Sequence, residues 1–277
     1  TSYSSNYLTI GGSSNTGNVG IGTNTPPTDK LRVVGNISSS GAINTLSHIT
    51  ASGNISSSGI IYASAADFGD TRYNTLIGKD AGALLSSTGT KNIAIGHEAL
   101  KTHTNGDDNI VIGYQAMDDT DAGGTSLGSY SNIFIGNYAG GGTWANASST
   151  HNVAIGMYSM AGSLSSAARN TAVGFATLQY VTTGTYNVGI GQGAGSANAL
   201  SGDYNTFLGA NAGNTIKTGD GNVMIGYQAS SSIDSGTNQI VIGKGATGTA
   251  DNSVTLGNTS NESVFISSTV VSKPLVE

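Results

Sequence analysis

Four histidines, His48, His97, His103 and His151, are the first candidates for metal or acid–base chemistry. A zinc centre needs imidazole or thiolate ligands at short characteristic spacings, and these four show none; the chain has no cysteine. Acidic runs stand at Asp107-Asp108 and Asp118-Asp119-Thr120-Asp121. Oxygen-rich loops of that kind hold calcium, although a solvated acidic loop needs no ion. Hydrolysis of a glycosidic bond requires two carboxylates facing each other across a groove, and Asp and Glu here are scattered without register. The run from Gly189 to Gly195 superficially matches a dinucleotide fingerprint, but that motif needs a following helix and an acidic residue about 20 positions on. No Gly-x-Ser-x-Gly nucleophile elbow occurs. The expectation is a chain without catalysis, cofactor or resident metal.

Recognition is a better prospect than reaction. Two stretches, Tyr114 to Ser131 and Asn137 to His151, are longer than their neighbours, and the second holds Trp144, the only Trp, in Gly-Gly-Gly-Thr-Trp-Ala-Asn. An exposed aromatic among Gly, Asn and Ser suits a sugar ring, bound by stacking and hydrogen bonds. Trp144, Asn146, Tyr130 and Tyr138 are therefore the candidate receptor contacts. The alternative is that Trp144 packs against its own chain or a neighbouring one.

These residues hang on a repeat. The word Asn-x-x-(Ile/Val/Leu)-Gly starts at Asn74, Asn92, Asn109, Asn132, Asn152, Asn170, Asn187, Asn205 and Asn222, with longer variants from Asn238 and Asn252 and an outlying copy from Asn18. Its closing glycines include Gly96, Gly113, Gly136, Gly156, Gly191 and Gly226, spaced mostly 17 or 18 residues apart. Three positions after each Gly stands a small residue such as Ala99, Ala116 or Ala194, often followed by Leu100, Met117, Met160 or Leu178. Self-similarity at such a period marks a stacked-coil architecture.

β-Branched content makes each word a strand. Side chains alternate faces along it, so Ile93 and Ile95 share one face while Ala94 takes the other. Both faces are apolar in nearly every copy, the pattern of a strand covered on two sides. A single coil of this length encloses too little volume to cover both, so the second face is expected to meet another chain, most economically in a closed trimer. The Gly permits a sharp turn or a close backbone approach, and the Asn either makes an Asx-turn or stacks with its counterpart in the next coil as an amide ladder. Eleven coils at about 4.8 Å each make a rod of roughly 50 Å.

Composition agrees. Of 277 residues 42 are Gly, 3 are Pro, and charged residues make up 9% against about 25% in ordinary domains. The net charge of −6 with no basic patch argues against nucleic acid. No apolar run is long enough to span a bilayer. The expected organisation is an N-terminal β segment over 1–35, a Ser/Gly-rich intertwined β neck over 36–73, a repeat β-roll over 74–257, and a C-terminal β segment over 258–277 that includes Val264-Phe265-Ile266. The neck rests on GNISSSGAI from Gly35 and its echo GNISSSGII from Gly53; a flexible linker is the alternative there.

Two resemblances follow. The Asn-x-x-Ile-Gly words, with a small residue three beyond the Gly, resemble the head repeats of trimeric autotransporter adhesins, although the copies here are longer. The phrase NVGIGTNTPPTDKLRVVGNISSSG, from Asn18 to Gly41, is similar to tail-fibre proteins of tailed bacteriophages, many of which carry a self-cleaving endosialidase-type chaperone downstream; Ser272 to Glu277 resembles the stretch before such a cleavage point. The adhesin resemblance implies a left-handed parallel β-roll assembled as a homotrimer. The fibre resemblance implies an extracellular virion component whose partners are its own copies, other tail proteins and a host-surface glycan or protein, with neither nucleic acid nor membrane insertion. A bacterial adhesin head and a polysaccharide-degrading tailspike are the rival readings. Ice binding would want Thr-x-Thr rows, which this chain lacks.

Overall fold

The computed structural model describes residues 8–10, 19–21, 31–33, 72–86, 88–119, 128–144 and 147–260. The chain divides into two compact units, Thr1–Tyr62 and Ala63–Glu277. In the first, β1 (Leu8–Ile10) pairs antiparallel with β2 (Val19–Ile21), which pairs parallel with β3 (Leu31–Val33). The outlying word from Asn18 thus forms a strand, but in a small mixed sheet of its own. The expected neck lies outside the described residues apart from its last two, and the expected C-terminal segment lies outside them beyond Ser260.

The second unit is a parallel β-solenoid. Each repeat lays down one three-residue strand: β4 (Thr75–Ile77), β5 (Ile93–Ile95), β6 (Ile110–Ile112), β7 (Ile133–Ile135), β8 (Val153–Ile155), β9 (Thr171–Val173), β10 (Val188–Ile190), β11 (Thr206–Leu208), β12 (Val223–Ile225), β13 (Ile240–Ile242) and β14 (Val254–Leu256). They form one 11-stranded parallel sheet in strict chain order. Register never slips: Ile110 faces Ile133, and Ile133 faces Val153, although these coils carry the longest insertions.

The rest of each coil is bonded rung to rung as well. Lys91 N donates to Arg72 O in the coil before, and Ile93 N donates to Asn109 O in the coil after. The reversal comes from residues in the left-handed region, among them Lys91, Glu98 and Leu100 at φ 57°, 57° and 56°. The word-closing glycine is obligatory. Gly136 has φ 139°, and a Cβ there would lie 2.6 Å from the carbonyl carbon and oxygen of Gly156 in the next coil.

The core is built from columns of side chains that run down the inside of the coil. The middle residue of each strand points inward, and Ala94, Val111, Phe134, Ala154, Ala172, Phe207, Met224 and Val241 are fully buried. Opposite them lie the small residue after the Gly and the residue that follows it. Volumes compensate between these positions. Ala94 faces a coil with Leu100, Ala154 one with Met160 and Ala172 one with Leu178. Where the strand carries Phe, the partner shrinks to Gly: a Cβ on Gly140 would meet Phe134 Cδ1 at 2.6 Å, and one on Gly213 would overlap the Phe207 ring. Close-packed interiors demand that trade, since both voids and overlaps cost stability.

The repeated Asn points inward and forms an amide ladder, in which the Asn170–Asn187 step is made by the Asn187 backbone N alone. Asn109 Nδ2 donates to Asn92 Oδ1 at 3.0 Å and to Ser129 O at 2.9 Å, and its own Oδ1 accepts from Asn132 N and Nδ2 at 3.0 and 3.1 Å. The same set recurs at Asn132, Asn152 and Asn205. Asn74, Asn92, Asn109, Asn132, Asn152, Asn170, Asn187, Asn205 and Asn222 are all buried. Of the two roles open to the Asn, this is the ladder. The last two words depart from expectation. Register puts Gln239 and Ser253, not Asn238 and Asn252, beside Asn222 in the inward column. Asn238 and Asn252 instead make an exposed pair, Nδ2 to Oδ1, at 2.8 Å.

Candidate functional site

Strand geometry decides which apolar face is spent inside the chain. The middle positions fill the coil, so the flanking positions point out. Rows of Ile and Val therefore run the length of the sheet on its outer face, half-buried at Ile95, Ile112 and Ile135 and exposed at Ile155, Ile190, Leu208 and Ile242. A strip about 50 Å long and 10 Å wide covers roughly 500 Å² in projection. That is at the upper end of the largest apolar patch on an ordinary monomer, about 300–600 Å².

Aromatic rows border this strip on both sides. Just after the closing glycines, His97 stacks on Tyr114 (5.4 Å, 9°), Tyr114 meets Tyr138 edge-on (5.4 Å), Tyr138 stacks on Tyr158 (5.1 Å, 8°), and Tyr158 meets Phe175 edge-on (6.1 Å). Partial desolvation in this column, together with the neighbouring Tyr114, raises the Tyr138 phenol above its ordinary range. Ahead of the strands, Tyr130 meets His151 edge-on (5.3 Å), Arg169 lies 5.3 Å from the Tyr186 centroid, and Tyr186 stacks on Tyr204 (5.0 Å, 11°). Two of the expected contact residues, Tyr130 and Tyr138, thus stand in opposite rows. Asn146 lies outside the described residues.

Trp144 is not the exposed ring that its setting suggests. It is 3% exposed, packs edge-on against Phe134 at 5.7 Å and donates from Nε1 to Gly140 O at 2.9 Å. Its backbone N donates to Asp119 O at 3.1 Å, which draws the long loop back over the coil. The glycines before Trp144 answer other close approaches: a Cβ on Gly140 would meet the Phe134 ring, and one on Gly142 would meet Ala161 O. The packing alternative describes Trp144.

Four of the acidic residues accept from backbone amides of neighbouring coils. Asp107 Oδ1 accepts from Thr90 N and Oγ1, Asp203 Oδ1 from Thr185 N and Oγ1, Asp220 Oδ1 from Asp203 N, and Asp251 Oδ1 from Thr237 N. Asp118 differs. Its Oδ1 is buried with no hydrogen-bond partner among the described residues, and desolvation, with repulsion from Asp119 and Glu98, pushes its carboxyl up to about 6.

One cluster is not visible in the sequence, because Asp80 joins the adjacent His97 and Glu98 from the coil before. Ligand-type atoms of Asp80, His97 and Glu98 lie within 4.8 Å of one another. Glu98 is already engaged: Lys101 Nζ and Gln115 Nε2 each donate to one of its oxygens at 2.5 Å and hold its carboxyl below the usual range. A cation would have to displace both donors. His103 points into the core, with Nε2 3.2 Å from Ser129 O.

Among the described residues no helix is long and apolar enough to cross a membrane. No family model matches the chain, and no curated protein or solved structure matches it.

Proposed function

We propose that this chain is a structural and receptor-binding segment of a trimeric viral tail fibre that attaches a particle to a host surface without catalysis. The observation that carries the reading is the outward Ile/Val strip, eleven rungs long and left half-buried to exposed by the described residues. Burying it against two further copies about an axis parallel to the rod answers the hydrophobic cost. With the aromatic row that follows the closing glycines, and leaving the Tyr186–Tyr204 row open, the strip approaches the ~800 Å² per partner of a standard stable interface. A stiff rod in which every coil supports the next is the mechanical element a fibre needs.

The virion assignment draws on the resemblance of Asn18 to Gly41 and of the C-terminal stretch to phage fibres. The absence of catalysis is supported by the use to which the acidic groups are put, since Asp107, Asp203, Asp220 and Asp251 serve as acceptors for neighbouring coils rather than facing one another across a groove. Mass spectrometry of purified particles tests the assignment: peptides of this chain in the virion, and block of particle adsorption by the soluble chain, are expected. Its recovery only from bacterial outer membranes would favour the adhesin head, and loss of host polysaccharide on incubation would favour the tailspike.

A further inference from the structure

The column of side chains just ahead of the strands contains a gap. In register it reads Arg169, Tyr186, Tyr204, Gly221, Asn238, Asn252, each joined to the previous coil by its backbone N: Tyr204 N to Thr185 O at 3.0 Å, Gly221 N to Asp203 O at 2.9 Å, Asn238 N to Asp220 O at 2.9 Å. Arg169 covers one face of Tyr186 and Tyr204 covers the other. Tyr204 therefore turns its second face towards the rung of Gly221, where there is no side chain. A Cβ built on Gly221 meets nothing within 4 Å, and Tyr204 is 63% exposed. Two rungs separate Tyr204 from Asn238, about 9–10 Å, which is room for one ring at roughly 4 Å from each wall.

We infer that this slot binds one neutral pyranose ring of a host-surface glycan; the inference rests on the attachment reading above and places its contact. The C–H face of a pyranose packs on the aromatic wall while its hydroxyls reach polar groups at the rim. Asn238 spends Nδ2 on Asn252 and keeps Oδ1 as an acceptor. Asp220 is exposed and uses Oδ1 for Asp203 N, which leaves Oδ2 as a second acceptor. Two carboxylates on adjacent rungs, Asp203 and Asp220, repel acidic sugars, so the ligand is uncharged. A single ring binds weakly, and repeated copies of the slot on an assembled fibre raise the effective affinity.

The test uses the full chain and saturation-transfer NMR with methyl glycosides of glucose, galactose and mannose, and with benzyl alcohol as a planar competitor. The slot predicts transfer to at least one glycoside. That signal is lost in Tyr204→Ala and also in Gly221→Tyr, which fills the gap by continuing the stack. The second variant is expected to keep its fold, because Tyr186 and Tyr204 occupy the same left-handed backbone, at φ 56° and 58°, as Gly221 at 69°. Its melting temperature should equal or exceed that of the parent. Glycoside transfer that survives Gly221→Tyr overturns the inference, as does binding of benzyl alcohol alone or loss of assembly in Tyr204→Ala with no glycoside bound. If the chain coats host cells and Gly221→Tyr coats them equally, the slot fails and attachment stands; if the chain coats no cells, the attachment reading fails as well.

Discussion

Replacing Asn132 with Ala removes one step of the buried amide ladder, and the cost can be worked from the bonds lost. The side chain donates from Nδ2 to Asn109 Oδ1 and Ser149 O, and accepts at Oδ1 from Asn152 N and Nδ2. Two of the four partners keep another bond: Asn109 Oδ1 still accepts from the backbone N of residue 132, and Asn152 Nδ2 still donates to Ala167 O. The amide of Asn152 and the carbonyl of Ser149 lose theirs, and both residues are buried. At about 1–3 kcal/mol for each orphaned buried group, the variant should lose roughly 2–6 kcal/mol. Urea unfolding followed by far-UV circular dichroism, at one protein concentration for both chains so that self-association would weigh equally on each, measures it. Hydrogen exchange at the Ile133 and Val153 amides localises it. Asn252→Ala is the matched control: its amide partner Asn238 is exposed, so the change should stay within about 0.5 kcal/mol. A loss below 1 kcal/mol in Asn132→Ala, with an unchanged denaturant slope, would refute the ladder as a load on the fold.

Other outcomes follow from the packing and the charges. Phe207→Ala should cost about 3–5 kcal/mol, and adding Gly213→Leu should recover much of it in a double-mutant cycle, because Leu178 already fills that position beside Ala172; Gly213→Leu alone should be destabilising, since its Cβ would overlap the Phe207 ring. Gly136→Ala should disrupt its rung by several kcal/mol, read as a drop in melting temperature, because the new Cβ would be driven against Gly156 in a left-handed backbone. The Asp118 carboxyl titrates near 6, above its ordinary 3.8, so the folded chain favours the protonated form and gains stability as pH falls from about 6 to about 4. Asp118→Asn should stabilise at pH 7 by about 1 kcal/mol, a figure reduced for partial solvent screening, and should flatten the profile in that window; an unaltered profile would contradict the assignment. Ile155→Asp with Ile190→Asp, on the exposed strip, should lower the assembled mass while far-UV circular dichroism is retained.

Much of this architecture is legible in the residues because the repeat is itself a physical constraint. Asn and Gly recur where a buried ladder and a close approach between coils admit little else, and the alternation of Ile93, Ala94 and Ile95 marks one inward and two outward positions. The interior pairing of Phe134 with Gly140, and of Ala94 with Leu100, is also written in the sequence, but it emerges only when positions are aligned coil by coil. At Trp144 the sequence leaves display and packing both open, because Gly and Asn neighbours suit either, and the indole packs beside Phe134. The words at Asn238 and Asn252 misled because one extra residue moves the inward position to Gln239 and Ser253. The aromatic rows and the joining of Asp80 to His97 and Glu98 are hidden for a different reason: the residues meet through the stacking of one coil on the next.

The fate of the outer Ile/Val strip is the point on which the account turns, and the mass of the chain in dilute solution measures it most directly. Light scattering coupled to size exclusion, at micromolar concentration and neutral pH, should return three times the 27.6 kDa of one chain. A folded particle of 27.6 kDa, with Ile155, Ile190 and Ile242 open to water, would contradict it.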